Sequence, residues 1–180
     1  DQAGRKGHYG PPHRRTEFLH QHHPRLRLIR LGDDRDRLEI MLFSSEVTTL
    51  TELSQLGPKR ADVLGRVSGI FEQGDTSLYD ATIAAYNELE AKGDEDHIRA
   101  IVVLSDGEDT ASLQTLPELI SQLDDAAGEG GNAIKIFTIA FGGGADQSVL
   151  QDIAEATGGK QYDSSPENIQ KIYDEIATFF

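Results

Sequence analysis

Cysteine and tryptophan are missing from all 180 residues, and methionine occurs once. Without cysteine the chain has no disulfide, no thiolate metal ligand and no thiol nucleophile. Compartment stays open, because many exported domains also lack cysteine. No apolar run approaches the ~20 residues of a membrane-spanning helix, so direct membrane insertion is not expected. Asp1 opens a polar stretch. A secretion leader, if the protein is exported, is therefore expected to have been removed or to lie outside this stretch. The GxSxG elbow, the Walker loop and GxGxxG are likewise missing, which argues against the hydrolases and nucleotide-binding enzymes built on them.

Basic residues are scarce beyond the first fifth of the chain. Residues 1–37 hold nine Lys/Arg against five Asp/Glu, and residues 38–180 hold eight against twenty-six. An acidic body of that size repels a polyanion, so nucleic acid is an unsuitable partner and cations or basic surfaces are better ones. Solubility alone is the plainer reading of the same charge.

Residues 1–31 differ from all that follow. They hold five of the six histidines and three of the six prolines, with no 3.6-residue apolar period. They read as a poorly ordered basic arm with a short strand over Leu26–Leu31. The histidines His8, His13, His20, His22 and His23 offer imidazole to a metal such as Zn²⁺, but without acidic partners at a ligand spacing, adventitious binding is the reading.

The body, residues 32–180, alternates strands and helices. Leu38–Phe43 and Val47–Leu53 read as a hairpin through Ser44-Ser45-Glu46. Pro58 fits a first helical position, with Ala61, Leu64, Val67 and Ile70 at helical spacing. Gly74–Ser77 is a loop feeding a helix with Leu78, Ala81, Ala85 and Leu89 inward, closed by Gly93. Ile98–Leu104 is almost continuously apolar, as in a strand covered on both faces. Thr115 and Glu118 form a capping box. Ile134–Phe141 is a further buried strand. Val149, Leu150, Ile153 and Ala154 mark a helix before Gly158-Gly159. Lys160–Tyr162 is a short strand, and Ser165-Pro166 opens a last helix. This order predicts an α/β fold with a doubly wound, mostly parallel sheet, helices on both faces and one antiparallel edge strand. Ligands of such sheets bind outside the carboxyl ends of the strands.

Two residues carry candidate chemistry there. Asp106 follows a buried strand within LSDGEDT, where its carboxylate either completes an Asp-Gly turn or holds a hard cation through oxygen. Thr76, in GDTSLYDA, either caps the following helix or lends a hydroxyl oxygen to a cation; Asp75 and Ser77 serve the same capping purpose. The Gly142–Gly144 run matches no phosphate-binding pattern and reads as a strand-to-helix connection.

The order FSS, GDTSLYDA, IVVLSDGEDT and IAFG over residues 32–180 resembles the von Willebrand factor type A family. GDDRDRLEIMLFSS at the start of that span and ATGGKQYDSSPENIQKIYDEI near its end belong to the same pattern. The resemblance implies about six strands with helices on both faces and a metal-ion-dependent adhesion site at the strands' carboxyl ends. That site takes an Asp-x-Ser-x-Ser loop after a central first strand, a Thr matched by Thr76 and an Asp matched by Asp106. It implies Mg²⁺ or Mn²⁺ and a protein ligand offering an acidic side chain. Asp75, Ser77, Gly107, Glu108 and Ser44 would line the binding rim.

No Asp-x-Ser-x-Ser occurs in this chain. Its nearest register, Asp1-Gln2-Ala3-Gly4-Arg5, keeps the aspartate and replaces both serines. Asp1 is the third candidate ligand, with Ala3 giving no oxygen and Arg5 opposing a cation. The central first strand is absent or replaced. Three accounts of the arm stand side by side: a divergent segment, a chain that is a fragment of a larger protein, or residues 1–30 arising from a shifted reading frame or an altered gene start. Arg25–Arg30 has strand character, but its alternating arginines suit a doubly covered position badly. The expectation is a non-catalytic, monomeric protein-binding module of a larger bacterial surface or secreted protein, with weak metal binding or none. A structural assembly domain and a doubly wound hydrolase are the alternatives.

Overall fold

A computed structural model describes residues 35–70, 74–93, 96–128 and 134–179. The expected arm, the strand at Leu26–Leu31, Asp1 and the five clustered histidines lie outside those residues.

Strand β1 (Arg37–Phe43) and strand β2 (Val47–Gln55) form the expected antiparallel hairpin. Their register slips between Leu38 and Met41, and there the Ile40 N–H donates to Thr51 Oγ1 at 3.1 Å, so the interrupted ladder keeps its hydrogen bond. Helix α1 (Leu56–Ser68) starts two residues ahead of Pro58, which stands in its first turn. Proline is harmless there because first-turn amides have no acceptor within the helix. The buried face of α1 is Leu56, Val63 and Val67, packed on Leu38, Ile40 and Leu50. Val63 thus takes the place expected for Ala61, which is exposed.

Helix α2 (Leu78–Lys92) follows, then β3 (Ala100–Ser105), α3 (Leu116–Gly128), β4 (Lys135–Phe141), α4 (Gln147–Glu155), β5 (Gln161–Ser164) and α5 (Ile169–Ile176), with a 3-10 turn at Ala177–Phe179. Strands β3, β4 and β5 are parallel and adjacent in that order, with Ala100 opposite Lys135 and Ile139 opposite Tyr162. Thr115 starts α3 as expected: its N–H and its hydroxyl both donate to the Glu118 carboxylate, at 2.7 and 2.8 Å. α5 begins three residues later than Pro166 suggests. Asn168 Oδ1 accepts the Ser165 N–H at 2.7 Å, and this side-chain turn takes up Ser165–Asn168 before the helix opens.

Strand β4 shows why both sheet faces need helices. Ile136 and Ala140 face one cluster, with Leu78, Tyr86, Ile101, Val103, Leu119, Leu123, Leu150 and Ile153 from α2, β3, α3 and α4. Phe137 and Ile139 face the other, with Tyr162 and with Ile169, Ile172 and Ile176 of α5. Burying each such Leu, Ile or Phe contributes about 1.5–3 kcal/mol.

Strand β3 departs from expectation. Ile101 and Val103 are buried, but Val102 is 37% exposed, and Ile98, before the strand, is 64% exposed. The α5 cluster centres on β4 and β5 and takes in only the two ends of β3, at Ala100 and Leu104. Among the described residues the apolar run is therefore covered fully on one face only. The hairpin also stands as its own two-stranded sheet among the described residues, and β1 is not paired with β3.

Candidate functional site

The carboxyl ends of β1, β3 and β4 open onto one polar rim. Ser44 follows β1, and its carbonyl accepts the Ser77 N–H at 2.8 Å. Asp106 follows β3, and the next residue, Gly107, lies against Thr76: a Cβ on Gly107 would stand 3.4 Å from Thr76 Oγ1. A Cβ on Gly144, in the loop after β4, would stand 2.6 Å from the Asp106 carbonyl oxygen, so only glycine permits that approach. Thr76, Asp106, Ser44, Gly107 and the Gly142–Gly144 loop are thus brought together. Asp75 accepts a hydrogen bond from the Ser45 hydroxyl at 2.9 Å and fastens the same loop to the hairpin turn. Glu108 is exposed beyond them.

The expected capping role moves elsewhere. Ser77 is the N-cap of α2 but makes no side-chain capping bond. The first amides of α2 are met from the β3–α3 loop instead. The Tyr79 N–H donates to Ser112 Oγ at 3.0 Å and to Asp109 Oδ2 at 3.2 Å, and the Asp80 N–H donates to Ser112 Oγ at 3.1 Å. The Thr76 N–H donates to Thr110 Oγ1 at 2.9 Å, while the Thr110 and Ala111 N–H groups return to the Thr76 carbonyl at 2.8 and 3.1 Å. Thr76 is therefore locked through its backbone, and capping makes no claim on its hydroxyl. Asp80, Asp109, Thr110 and Ser112 are positioning residues that sequence reasoning passed over. For Asp109 and Ser112 the signal available was a third acid and a second serine within SDGEDTAS.

The donor set suits a hard cation in kind and falls short in number. Thr76 gives a hydroxyl oxygen and Asp106 a carboxylate, the ligand types Mg²⁺ and Mn²⁺ take. Ser77 Oγ is buried in the same loop without a hydrogen-bond partner among the described residues. No group of three or more His, Cys, Asp or Glu able to hold a metal occurs among the described residues. A six-coordinate ion would draw its remaining oxygens from water or from residues outside the described set, where Asp1 lies.

Two carboxylates beside this region set an acid-side dependence. Hydrogen bonds from the Thr115 N–H, then from its hydroxyl, hold Glu118 below the usual carboxylate range. Asp146, the N-cap of α4, is held low by the Ser148 hydroxyl and then by the Val149 and Ser148 amides. A group depressed in the folded state contributes stability above its unfolded pKa and loses it as pH falls through the folded value. Urea midpoints should be level near neutrality and decline below about pH 4.5. Asp146→Ala should flatten that decline; an unchanged slope would exclude Asp146 as a contributor.

Helices over both faces of a parallel sheet, with polar loops at the carboxyl ends of its strands, define a doubly wound α/β domain. The chain belongs to the von Willebrand factor type A domain family, whose profile matches residues 14–175. Solved structures agree in fold. A von Willebrand factor type A protein from Catenulispora acidiphila superposes with a TM-score of 0.67 at 17% identity, over 80% of this chain and 33% of that one. Proximal thread matrix protein 1 of the mussel byssus, solved with zinc in its metal-ion-dependent adhesion site, gives 0.61 at 22% identity, over 79% and 34%. BatB from Bacteroides thetaiotaomicron gives 0.55 at 18% identity, over 81% of each chain. The chain thus spans about a third of the length of the first two. No curated protein sequence matches it. Domains of this family are typically modules of protein interaction or adhesion, generally non-catalytic, and often bind a divalent metal. No described helix is long and apolar enough to cross a membrane.

Proposed function

We propose that this chain is a non-catalytic recognition module of a larger surface or secreted protein. It takes a protein ligand at the rim of the Thr76, Asp106 and Gly142 loops. One observation carries the reading: three loops from separate parts of the chain converge, with Gly107 against Thr76 Oγ1 and Gly144 against the Asp106 carbonyl. Mg²⁺ or Mn²⁺, held weakly by Thr76 and Asp106 with water completing the shell, would present a positive centre to an acidic side chain of the partner. Thr76 and Asp106 would hold that ion, and Asp75, Ser77, Glu108 and Ser44 would border it.

An enzymatic role finds little support. His97, the single histidine of the body, is exposed and precedes β3, at the end of the strand away from the rim. A general base there has no carboxylate or hydroxyl of the rim within reach. The shortage of metal donors favours a second reading, an assembly domain that docks its partner at the same rim without metal.

Calorimetric titration of Mg²⁺ and Mn²⁺ into the full chain and into Asp106→Ala separates the two. Weak binding by the wild type, reduced at least about tenfold in the variant, is the expected result. Equal and negligible binding by both would remove the metal and leave the assembly reading.

A further inference from the structure

Helices α2 and α3 pack together on one face of the sheet, and two hollows of about 470 and 360 Å³ lie along their junction. The hollows share Ile83 and Gln122, so they form one continuous groove. On α2 the groove runs from Asp80 to Glu90, which is about 15 Å of helix. Ile83 and Ala126 give it an apolar lining, each part-buried against the core. Leu113 stands at the end nearest the first turn of α2, with 96% of its surface exposed. One exposed leucine is ordinary on a protein surface. This one is held in place, because its N–H donates to Asp80 Oδ2 at 2.8 Å while its side chain stays in water.

The charge along the groove has one sign. Residues 100–134 contain seven Asp/Glu and no Lys or Arg. Lys92, the one base of α2, is paired with Glu88 on the side toward Glu39 of β1. Arg99 comes near the Tyr86 hydroxyl but lines neither hollow. Asp80 and Glu118, at the Leu113 end, are committed to backbone amides: Asp80 to those of Leu113 and Gln114, Glu118 to that of Thr115. Glu90 and Asp125, at the other end, are exposed and carry no hydrogen bond or ion pair among the described residues. Asp125 also stands in the last turn of α3, where the helix's own carbonyls are negative and no base offsets them. A cation brought from outside would relieve that repulsion.

We propose that this groove docks a basic amphipathic helix of a partner protein, at a site separate from the Thr76–Asp106 rim. The apolar stripe of that helix lies on Leu113, Ile83 and Ala126. Lys or Arg on its two flanks meets Glu90 of α2 and Asp125 of α3. A helix laid along the junction of two others is an ordinary packing of α-helices, and the groove takes about ten residues, close to three turns. The same charge repels nucleic acid and anionic membrane, which leaves a basic protein segment as the suitable occupant.

Fluorescence anisotropy with the full chain tests this. The probe is a labelled synthetic helix of about 16 residues, with Leu at i, i+3, i+4 and i+7 and Lys on both flanks. The wild type should bind it. Leu113→Ser should weaken binding at least about tenfold, and so should the double variant Glu90→Lys with Asp125→Lys. All three side chains are exposed, so these changes leave the core intact. Asp174→Lys, on α5 across the sheet, should leave the affinity within about twofold. A peptide of the same composition with its leucines moved off the stripe should bind at least about tenfold more weakly. Absence of binding by the wild type would overturn the proposal. So would equal binding of the rearranged peptide, which would mean charge attraction alone, or an equal loss in Asp174→Lys. Dimerisation of the free chain that grows with concentration and is abolished by the groove variants would overturn it in favour of a second copy.

Discussion

Replacing Gly159 by alanine is expected to cost about 3 kcal/mol, because among the described glycines an added Cβ comes nearest to another atom there. A Cβ at that position would stand 1.8 Å from the Ile136 carbonyl oxygen, 2.7 Å from its carbon and 3.3 Å from the Ala154 carbonyl oxygen. All three are backbone atoms, so no side-chain rotation relieves the overlap. Ile136 is itself held from the same turn, because its N–H donates to the Thr157 hydroxyl at 2.8 Å. The Gly159 N–H donates to the Ala154 carbonyl at 2.9 Å and closes the end of α4. The turn at 157–159 thus docks on the central strand through two contacts that leave no room for a side chain. Urea unfolding should show a lowered midpoint at unchanged slope. Gly143→Ala, where a Cβ meets nothing within 4 Å, is the control and should stay within about 0.5 kcal/mol. Equal stability of Gly159→Ala and wild type would show that the α4–β5 turn relaxes freely.

That turn illustrates which parts of the fold could be read in advance. Gly158-Gly159 marks a helix end in the sequence, but only the fold shows Gly159 pressed against Ile136. Local signals were legible wherever the partner was local. The Thr115–Glu118 box spans three residues, and the hairpin turn at Ser44–Glu46 sits between two alternating runs; the hairpin forms as expected, and of the box the Glu118 carboxylate takes the Thr115 N–H. The errors arose where coverage is decided at long range. Ile98–Leu104 is apolar enough for a strand covered on both faces, yet whether α5 lies over it depends on residues sixty or more positions away. Val102 is left part-exposed in consequence. Pro58 and Pro166 misled for a related reason. Proline restrains its own φ and the residue before it, and a helix can begin two residues ahead of it or three beyond.

The candidate site divides along the same line. Neither a Thr before a helix nor an Asp-Gly after a strand is specific alone, so Thr76 and Asp106 were legible only through the order of motifs in which they stand. The rim contacts at Gly107 and Gly144 confirm that the segments meet. Nothing local announces what holds them there, because the bonds joining α2 to the β3–α3 loop link residues thirty or more positions apart.

Asp109 is where that hidden support is most concentrated, and Asp109→Ala is expected to cost about 2–3 kcal/mol. Its part-buried carboxylate accepts the Ser112 hydroxyl at 2.5 Å, the Ser112 N–H at 3.2 Å and the Tyr79 N–H at 3.2 Å. Ser112 Oγ in turn accepts from the Tyr79 and Asp80 amides at the start of α2, where the N-cap side chain gives no bond. The Asp80 carboxylate then reaches back to the Leu113 and Gln114 amides at 2.8 and 3.3 Å. The helix and the loop cap each other, and a carboxylate at a helix amino end also gains from the exposed N–H dipoles. Removing Asp109 leaves donors without acceptors and frees Ser112 to rotate. Asp109→Asn keeps one acceptor oxygen and should cost about 1 kcal/mol less than alanine. Because Ser112 acts through the same network, Asp109→Ala and Ser112→Ala should be non-additive by about 1 kcal/mol or more in a double-mutant cycle read by urea unfolding. Strict additivity would mean that the loop after Asp106 is held by other means and that this network is incidental to the rim.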